Sequence, residues 1–522
     1  MRALAGRLRR QPRGELIAYG LLVALALVLR LIDLGDRPFH HDESQDAYFS
    51  WVLLTKGQYE YDPLLHGPLR FYLTAAVFAV LGDSDLTARL APVLMGTAMV
   101  ALAWGLRPLL GRIAAFAVAV LLAIGPSYLY FSRFAREDIY IACLTFALLI
   151  VVFAFLRRPR PWHPATIGAL LAASFAVKES TFITAFVFGT FLLAWLGHDL
   201  VRKRRDLLAR LSIGRRAWAS AVAGFGVVYL LLFTTFGTDL DHWDGLWEGL
   251  DYWLGQHDVG RGGEAWFFYI VALALNEWPV VALGAVGAIA AWRRPTPLGL
   301  FCVWGFAVSL AVYSWAGEKF AWLVLHPLLP LILLAGLGVQ SVWRSPGRLR
   351  VPGLALVAVA GAYVVLSSWW VNAEHRADPR ELLVSTQSSE AVLGIRARVL
   401  ALAAERDQSG SGPLTVTIDS AEGATFPWAW YFRDLEEVGF DDLSSPAAVL
   451  APSDVLLLTD GSRRRLAGQL SEYDATRFDF RVWWVRDYNS LTPSTALEWM
   501  ARRDPWNATG GMPEWLLVRR PA

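Results

Sequence analysis

Long apolar segments separated by short polar loops occupy most of the chain up to residue 371. Most of these segments approach the roughly 20 residues that an α-helix needs to cross a bilayer, so the pattern predicts about eleven transmembrane helices. The predicted spans are residues 16–34, 86–106, 112–131, 137–156, 164–177, 180–197, 216–236, 265–292, 297–315, 320–340 and 352–371. Residues 69–81 are also apolar, but a run of about 13 residues is typical of a re-entrant or interfacial helix.

The pattern changes after residue 371, where the remaining residues have the composition of a soluble domain. Two apolar runs there, residues 414–418 and 455–458, predict buried strands, and residues 390–406 predict a helix. The sequence therefore predicts two domains. These are a transmembrane domain over residues 1–371 and a soluble α/β domain over residues 372–522.

Composition supports the assignment to the polytopic α-helical membrane proteins. Hydrophobic residues make up 55% of the 522 residues and charged residues 18%, which is more apolar than a soluble core requires. The net charge of +2 indicates neither an acidic nor a basic partner, and nothing favours nucleic-acid binding. Both cysteines, Cys143 and Cys302, lie in apolar segments, so we predict neither a disulfide nor a metal-thiolate site.

Positive charges in the loops predict the orientation. If residues 69–81 do not cross, every basic cluster falls on one side of the membrane, which the positive-inside rule assigns to the cytoplasm. These clusters contain Arg7, Arg9, Arg10, Arg13, Arg107, Arg112, Arg157, Arg158, Arg160, Arg202, Lys203, Arg204, Arg205, Arg215, Arg216, Arg293, Arg294, Arg344, Arg348 and Arg350. We therefore predict a plasma-membrane protein with an uncleaved first span, a cytoplasmic N-terminus and an extracytoplasmic C-terminal domain.

The most informative motif, His40-His41-Asp42-Glu43, follows the first apolar span and lies on the predicted outer side. Ionisable groups at a membrane are costly unless they are used. A carboxylate there suits the removal of a proton from an acceptor hydroxyl group, because hydroxyls are poor nucleophiles at neutral pH. The same residues also suit the start of a helix, so a catalytic role and a capping role both remain open.

Three further charged groups fall on the same predicted side. Arg133 and Arg136 are predicted to share a helix face, from which guanidinium groups bind phosphate bidentately, while Asp138 begins the next span. Lys178 precedes Glu179 in one short turn, and Lys319 follows Glu318 in another. A lysine at this depth suits a lipid phosphate, although ordinary positioning of a cation at the interface explains it equally well.

Two features of the outer side leave alternatives open. Histidine beside carboxylate suits a divalent metal ion, with Glu43, His41 and His66 as candidate ligands, although no HxxxH spacing occurs. The histidines at this face are His40, His41, His66, His242, His257 and His326. The loop over residues 239–264 carries Trp243, Trp247 and Trp253, which fit either an aromatic belt or a carbohydrate-stacking surface.

The order of these motifs resembles the GT-C glycosyltransferases of the protein O-mannosyltransferase and aminoarabinose-transferase type. The resemblance rests on the Asp42-Glu43 pair, His66-Gly67-Pro68 before the short helix, and residues 85–90, 132–138 and 178–179. With residues 317–323 and 426–434, the chain is similar to the prokaryotic subgroup called flippase-activity-associated proteins. The resemblance covers nearly the whole sequence.

The resemblance implies a GT-C-like fold and a transferase that moves a sugar from a polyprenyl-phosphate carrier to a glycan, lipid or protein acceptor outside the cell. Asp42 would be the general base with Glu43 beside it, and Asp138 would be the second acidic position. The other implied residues contact substrate: Arg89, Arg133, Arg136, Lys178, Glu179, His66, Glu318 and Lys319. Arg136 and Lys178 among them would neutralise the leaving phosphate.

Several points stay open at this stage. The aminoarabinose transferases carry a lysine before paired prolines where this chain has His66-Gly67-Pro68, which leaves the role of His66 undecided. Trp428, Trp430 and Tyr431 are candidates for contact with the acceptor. A lipid-linked sugar flippase, or an accessory to one, is the alternative function, but it would require polar residues through both leaflets, whereas here they cluster on one face.

Overall fold

The computed structural model of the protein describes residues 13–255, 260–446 and 448–521. Arg7, Arg9, Arg10 and His257 lie outside the described residues. Within the described part, the chain forms two compact units. The first contains residues 13–32, 58–77 and 89–374, and the second contains residues 33–57, 78–88 and 375–521.

The described part of the chain is mostly α-helical. Its α-helices, in chain order, are α1 (Arg13–Leu31), α2 (His41–Lys56), α3 (Leu69–Leu81), α4 (Asp85–Ala88), α5 (Leu90–Leu102), α6 (Arg107–Leu110), α7 (Arg112–Ile124), α8 (Pro126–Phe131), α9 (Asp138–Arg157), α10 (Trp162–Phe175), α11 (Thr181–Val201), α12 (Asp206–Leu211), α13 (Arg215–Phe233), α14 (Gly245–Gly255), α15 (Phe268–Asn276), α16 (Trp278–Arg293), α17 (Pro297–Trp315), α18 (Leu325–Trp343), α19 (Gly347–Trp369), α20 (Ala391–Ser409), α21 (Trp428–Tyr431), α22 (Asp460–Arg465) and α23 (Pro493–Arg502). The short apolar helix predicted over residues 69–81 is present as α3.

Eight helical segments of the described chain are long and apolar enough to cross a membrane. They are Arg13–Leu31, Leu90–Leu110, Asp138–Arg157, Thr181–Val201, Arg215–Phe233, Pro297–Trp315, Ala321–Trp343 and Gly347–Glu374. Helices α15 and α16 meet at 98° and add a ninth if they form one broken span. The polytopic helical architecture is confirmed, whereas the count of eleven spans stays a prediction.

Two of the predicted spans are short helices. Residues 112–131 do not form one helix, because the chain breaks at Gly125 and restarts with Pro126 at the first position of α8, where proline lacks only an N–H that would be unpaired anyway. Helix α7 has 13 residues and α10 has 14. Cys143 and Cys302 are buried free thiols.

Helix α18 is the most buried of the candidate spans in the described chain. It packs against α7, α16 and α17. Every residue from Pro327 to Ala335 is buried, so this part of the helix is apolar around its whole circumference, as expected of a helix surrounded by others. His326 stands near its N-terminal end and is the residue through which α18 reaches the candidate site.

A six-stranded sheet organises the second unit. Its strands are β1 (Gln387–Ser388), β2 (Thr415–Asp419), β3 (Glu437–Asp441), β4 (Val455–Thr459), β5 (Tyr473–Trp483) and β6 (Gly510–Arg519). The order in the sheet is β1-β5-β6-β4-β2-β3, with β2 parallel to β3 and β4, and the other neighbouring pairs antiparallel. The two predicted strands and the predicted helix are therefore confirmed as β2, β4 and α20.

The core of the second unit includes residues from the N-terminal part of the chain. Phe39 and Phe78 pack in the same cluster as Trp428 and Trp430, and Trp430 donates a hydrogen bond from Nε1 to Asp85 Oδ1 at 2.8 Å. Residues 33–57 and 78–88 consequently belong to this unit, although the sequence assigned them to the transmembrane domain. The proposed acceptor contact of Trp428, Trp430 and Tyr431 is wrong, because these aromatic side chains are buried in the core.

A buried acid in this core makes the stability of the unit depend on pH. Glu514 on β6 is 1% exposed, and its Oε2 accepts a hydrogen bond from Trp428 Nε1 at 3.1 Å. Burial raises the pKa of Glu514 to about 8, and the Trp428 hydrogen bond and Arg481 oppose that rise only in part. An acid whose pKa is higher in the folded than in the unfolded chain makes folding less favourable as pH rises between those two values.

We therefore predict that Glu514→Gln raises the melting temperature of the full-length protein at pH 9 and changes it little at pH 5. The amide removes the cost of ionising a buried group while keeping an acceptor for Trp428. Thermal unfolding followed by tryptophan fluorescence at both pH values measures this difference. An equal shift at the two pH values would contradict the buried-acid explanation.

Candidate active site

Two adjacent acids at the start of α9 form the centre of a buried charged cluster in the first unit. Glu137 and Asp138 are each 1% exposed. Lys178 Nζ lies 2.8 Å from Glu137 Oε1 and 3.4 Å from Asp138 Oδ1. Arg136 Nε lies 3.3 Å from Asp138 Oδ2, and its Nη2 lies 3.1 Å from Glu137 Oε1. Three of the residues predicted to contact substrate or act in catalysis, Arg136, Asp138 and Lys178, are thus in direct contact.

Glu137 and Arg70 complete the cluster, and sequence reasoning missed both as site residues. Arg70 Nη1 lies 3.2 Å from Glu137 Oε2, and His66 Nε2 lies 3.4 Å from Glu137 Oε1. The sequence did contain a signal for Arg70, because it is the one charged residue in the apolar run of α3. An ionisable residue in such a run is expected to face a functional interior.

The surrounding charges determine the protonation of the cluster. Burial alone would raise the pKa of Glu137, but Arg136, Lys178, His66 and Arg70 outweigh burial and hold that pKa well below its usual value. Burial would lower the pKa of Lys178, yet Asp138 and Glu137 raise it above the usual value. The cluster is therefore ionised at neutral pH, as buried charges are when each has an opposite partner.

His66 is held against the Lys178 turn by its neighbour Gly67. Gly67 N–H donates to the Val177 carbonyl at 3.1 Å, and Leu69 N–H donates to the Ala176 carbonyl at 2.9 Å. A β-carbon at Gly67 would overlap the Ala176 carbonyl group, so the approach requires glycine. The His66-Gly67-Pro68 motif therefore docks on the two residues that precede Lys178.

This docking pairs His66 with Glu179. His66 Nδ1 lies 2.7 Å from Glu179 Oε2. Burial lowers the pKa of His66, but Glu179 and Glu137 raise it more, so the net pKa is above its usual value. The two carboxylates therefore favour the protonated form of the imidazole, and the role of His66 in the site stays open.

The tryptophan-containing loop forms a helix beside Glu179. A β-carbon at Gly249 of α14 would lie 3.0 Å from Glu179 Oε1 and 2.7 Å from the Tyr61 hydroxyl oxygen. Tyr61 donates a hydrogen bond to the Gly245 carbonyl at 3.0 Å. Trp243 and Trp247 are exposed, so the belt and the carbohydrate-stacking interpretations both remain open.

Helix α18 and the segment before it supply aromatic and basic groups. His326 Nε2 lies 3.5 Å from Asp138 Oδ1, and the His326 ring stacks on Tyr313 with ring centroids 4.9 Å apart. The Arg136 guanidinium lies 3.8 Å from the centroid of the Trp322 ring. A stacked guanidinium loses less freedom when it binds an oxyanion, so Trp322 preorganises Arg136.

Lys319 differs from the other cations of the site. It is 8% exposed and donates to the Ala316 carbonyl. Among the residues that the structure describes, no carboxylate forms an ion pair with it, and burial lowers its pKa. Glu318 is close enough to raise the pKa of Lys178, which places the Gly317-Glu318-Lys319 turn beside the cluster.

Two predicted binding residues are not among the cluster contacts described above. Arg133 donates from Nη1 to the Asn372 carbonyl at 2.9 Å and from Nη2 to the Ile32 carbonyl at 2.5 Å. The prediction that Arg133 and Arg136 share a helix face is wrong, because residues 132–137 form turns between α8 and α9. Arg89 is fully buried directly before α5, and its part in the pocket stays a prediction.

In the second unit, the Asp42-Glu43 pair begins α2 and has two different environments. His40 Nδ1 accepts the Asp42 N–H at 3.0 Å, and Glu43 Oε2 accepts the His40 N–H at 3.1 Å, which forms a capping box. Glu43 Oε1 lies 2.9 Å from Arg37 Nη2, and Glu43 is fully buried. Both Glu43 oxygens therefore support the helix start, and a catalytic role for Glu43 stays a prediction.

Asp42 is the accessible acid of the pair, with 26% of its side chain exposed. Its Oδ2 lies 3.8 Å from His40 Nδ1. Because His40 Nδ1 accepts the Asp42 N–H, the ring proton is assigned to Nε2, which lies 3.0 Å from the Ser385 carbonyl. His40 thus anchors the backbone beneath Asp42.

The metal candidates have protein partners of their own. His41 Nδ1 accepts from Arg481 Nη2 at 2.9 Å, His66 pairs with Glu179, and Glu43 pairs with Arg37. Within the described ranges, no group of three or more His, Cys, Asp and Glu side chains is arranged to hold a metal ion. A divalent ion stays a prediction, and no step is derived through one.

Comparisons with known proteins identify the fold of the chain. The family model described as dolichyl-phosphate-mannose-protein mannosyltransferase matches residues 65–213, less than half of the chain. ArnT from Cupriavidus metallidurans bound to undecaprenyl phosphate matches with a TM-score of 0.62 and 16% identity, over 95% of this chain and 97% of ArnT. The chain has the GT-C fold. No curated relative matches it by sequence.

Other solved structures agree with the GT-C assignment. ArnT in the apo state matches with a TM-score of 0.63 and 16% identity, over 87% of this chain and 95% of ArnT. The Archaeoglobus fulgidus oligosaccharyltransferase tethered with an acceptor peptide matches with a TM-score of 0.56 and 11% identity, over 96% of this chain and 74% of that one. The predicted fold class is confirmed, and the protein is a multi-pass membrane protein.

The His66–Glu179 pair of this GT-C chain generates a pH-dependent prediction. A histidine with a raised pKa contributes stability that is present at low pH and is lost as pH rises through that pKa. We predict that Glu179→Gln lowers the melting temperature more at pH 6, where His66 is charged, than at pH 9.

Thermal unfolding of wild type and Glu179→Gln at the two pH values measures this difference. The matched control is the same substitution in a His66→Gln background, where the pH dependence of the effect should disappear. A pH dependence that persists without His66 would refute the pairing.

Proposed function

We propose that the protein is a glycosyltransferase that moves a sugar from a polyprenyl-phosphate carrier to an acceptor hydroxyl on the extracytoplasmic face of the membrane. Its support is the GT-C fold, the undecaprenyl phosphate bound by ArnT and the family model named for dolichyl-phosphate-mannose. The orientation follows from the distribution of basic loops. The acceptor is a glycan, a lipid or a protein, and the reaction belongs to the glycosyl-transfer class.

The observation that carries the proposal is the buried Lys319 ammonium, whose neighbour in the chain, Glu318, is close enough to raise the pKa of Lys178. A buried cation without an opposite charge is costly, so such a group is expected where a ligand supplies the anion. The other cations of the cluster already contact carboxylates. An incoming phosphate would therefore gain most from Lys319, with Lys178 offering a third N–H beyond its two carboxylate contacts.

The cluster suits a phosphate that acquires charge during the reaction. In the proposed step, the acceptor oxygen bonds to the anomeric carbon of the sugar, and the bond from that carbon to the carrier phosphate oxygen breaks. The electron pair leaves with the phosphate. Arg136, held by Trp322 and Asp138, and Lys178, held by Glu137 and Asp138, stabilise this charge without moving, which is how fixed charges accelerate such steps.

A narrow apolar cavity begins at the same cluster. It has a volume of about 50 Å³ and is lined by α9, α11, α17 and α18, with Tyr313 and His326 at the end near Asp138. Its other walls include Leu149, Val187 and Phe301. We propose that this cavity binds the first isoprene units of the carrier. The cavity would have to widen for these units to enter.

Asp42 is assigned as the general base that takes the proton from the acceptor hydroxyl. It is the more accessible of the two adjacent acids, and its backbone is fixed by the His40 cap and the buried Arg37–Glu43 pair. A base must be both exposed to its substrate and correctly oriented. In this assignment Asp42 takes the proton, and Glu43 holds the start of α2 in place.

The first test uses purified full-length protein in lipid nanodiscs and a panel of radiolabelled polyprenyl monophosphate and diphosphate sugars, with candidate acceptors. We predict sugar release from one donor by wild type. Asp42→Asn should lower turnover by about 100-fold or more, since a general base contributes roughly that factor, while donor binding is kept. Asp36→Asn, an exposed neighbour, is the matched control.

The alternative flippase or flippase-accessory function makes a different prediction in the same experiment. Donor binding without turnover in wild type, across a panel with acceptors, would contradict the transferase and favour translocation. Equal turnover in wild type and Asp42→Asn would instead keep the transferase and remove Asp42 as its base.

A second test addresses Lys319 directly. We predict that Lys319→Met weakens binding of undecaprenyl phosphate by about 10-fold or more, because a charge-assisted contact contributes roughly 1.5–3 kcal/mol. Lys319→Arg should retain much of the affinity. Lys203→Met, an exposed lysine in a cytoplasmically assigned loop, is the control, and unchanged binding by Lys319→Met would refute the phosphate assignment.

A further inference from the structure

The first unit contains a second and larger cavity, which runs along α7 from Arg112 to Ile124. The cavity has a volume of about 960 Å³ and lies among α7, α16, α18 and α19. Its walls are mainly apolar, with Phe116, Val120 and Leu121 on α7 and Leu283 on α16. A cavity of this volume can hold a ligand of the size of a drug molecule or larger, and its apolar walls favour the binding of a hydrocarbon chain.

The mouth of this cavity is basic. Arg107, Arg112 and Arg344 line it together with one acid, Glu15. Glu15 Oε2 lies 2.7 Å from Arg107 Nη2 and 2.5 Å from Arg112 Nη2. One carboxylate cannot neutralise three guanidinium groups, so the mouth keeps a net positive charge.

An adjacent hollow extends the basic surface. It has a volume of about 690 Å³, shares Arg344 with the first cavity and adds Arg293 and Arg294. Among the described residues that line the two hollows, five are arginines and one is a carboxylate. The combination is an apolar groove with a strongly cationic entrance.

The entrance is far from the proposed transfer site. Arg157 at the far end of α9 donates to the Pro108 carbonyl, next to Arg107 of the mouth. Asp138 stands at the opposite end of this 20-residue helix. A rise of 1.5 Å per residue separates the ends by about 30 Å, which is the thickness of the hydrocarbon core of a bilayer.

We propose that the groove is a binding site for an anionic glycerophospholipid of the cytoplasmic leaflet. The lipid phosphate contacts Arg112 and Arg344 at the mouth, and an acyl chain lies along the apolar wall of α7. Charge complementarity selects an anionic headgroup, because polybasic surfaces at the membrane bind anionic lipids. The polyprenyl carrier is not the occupant, since its phosphate would lie about 30 Å from Glu137 and Asp138.

The test is native mass spectrometry of the full-length protein titrated with phosphatidylglycerol or phosphatidylcholine of matched chains. We expect wild type to retain phosphatidylglycerol at least 10-fold more strongly than phosphatidylcholine. The Arg112→Gln/Arg344→Gln double variant should lose this preference. Arg348→Gln, an exposed arginine near the same end that does not line the groove, should keep it.

A second variant tests the apolar wall without changing charge. Leu121→Trp fills the groove and should reduce the number of retained lipids while the arginines remain. Equal retention of the two lipids by wild type would overturn the proposal, as would an undiminished preference in the double arginine variant. Displacement of phosphatidylglycerol by equimolar undecaprenyl phosphate, abolished by Arg344→Gln, would overturn the choice of occupant.

Discussion

The pairing of Lys178 with Glu137 and Asp138 is the interaction on which the candidate site depends. Burying any one of these charges alone would cost several kcal/mol, so each is tolerable only because the others are in place. The consequence is a rigid array whose members come from different segments, with Arg70 on α3, Glu137 before α9 and Lys178 before α11. A preorganised array of this kind can stabilise developing charge without first rearranging.

The same constraint gives the short motifs around the array their physical meaning. Gly67 allows its segment to approach the Ala176 carbonyl, which brings His66 to Glu179. Trp322 supports Arg136 from one side. Lys319 is the exception among these cations. It is buried, and no carboxylate among the described residues forms an ion pair with it. An anionic ligand is the simplest group to complete the array.

Much of this architecture could be predicted from the sequence because it is local. Apolar length predicted the helical membrane unit, apolar runs predicted β2 and β4, and the acids after α1 were compatible with a helix start at α2. The pairing of Arg70 with Glu137 could not be predicted, because it joins residues distant in the chain. The aromatic residues at Trp428 were predicted to contact the acceptor for the same reason. Their partners Phe39 and Phe78 are distant in the chain, and together these residues form a hydrophobic core.

Arg133 and Arg136 illustrate a different limit. Their spacing would place them on one face of a continuous helix, but the chain turns between α8 and α9. Arg133 consequently binds backbone carbonyl groups while Arg136 binds Asp138. The spacing of two residues predicts that their side chains are adjacent only where the secondary structure is known. In a turn rich in charged residues, the secondary structure is hard to predict from the sequence.

The most direct test of the central claim is an experimental structure of the full-length protein in nanodiscs with bound undecaprenyl phosphate. The account predicts the phosphate within salt-bridge distance, about 4 Å, of Lys319 Nζ and Lys178 Nζ. The Glu137–Arg70 and Asp138–Arg136 contacts should be intact. A phosphate bound elsewhere, with Lys319 still lacking an anionic partner, would contradict it.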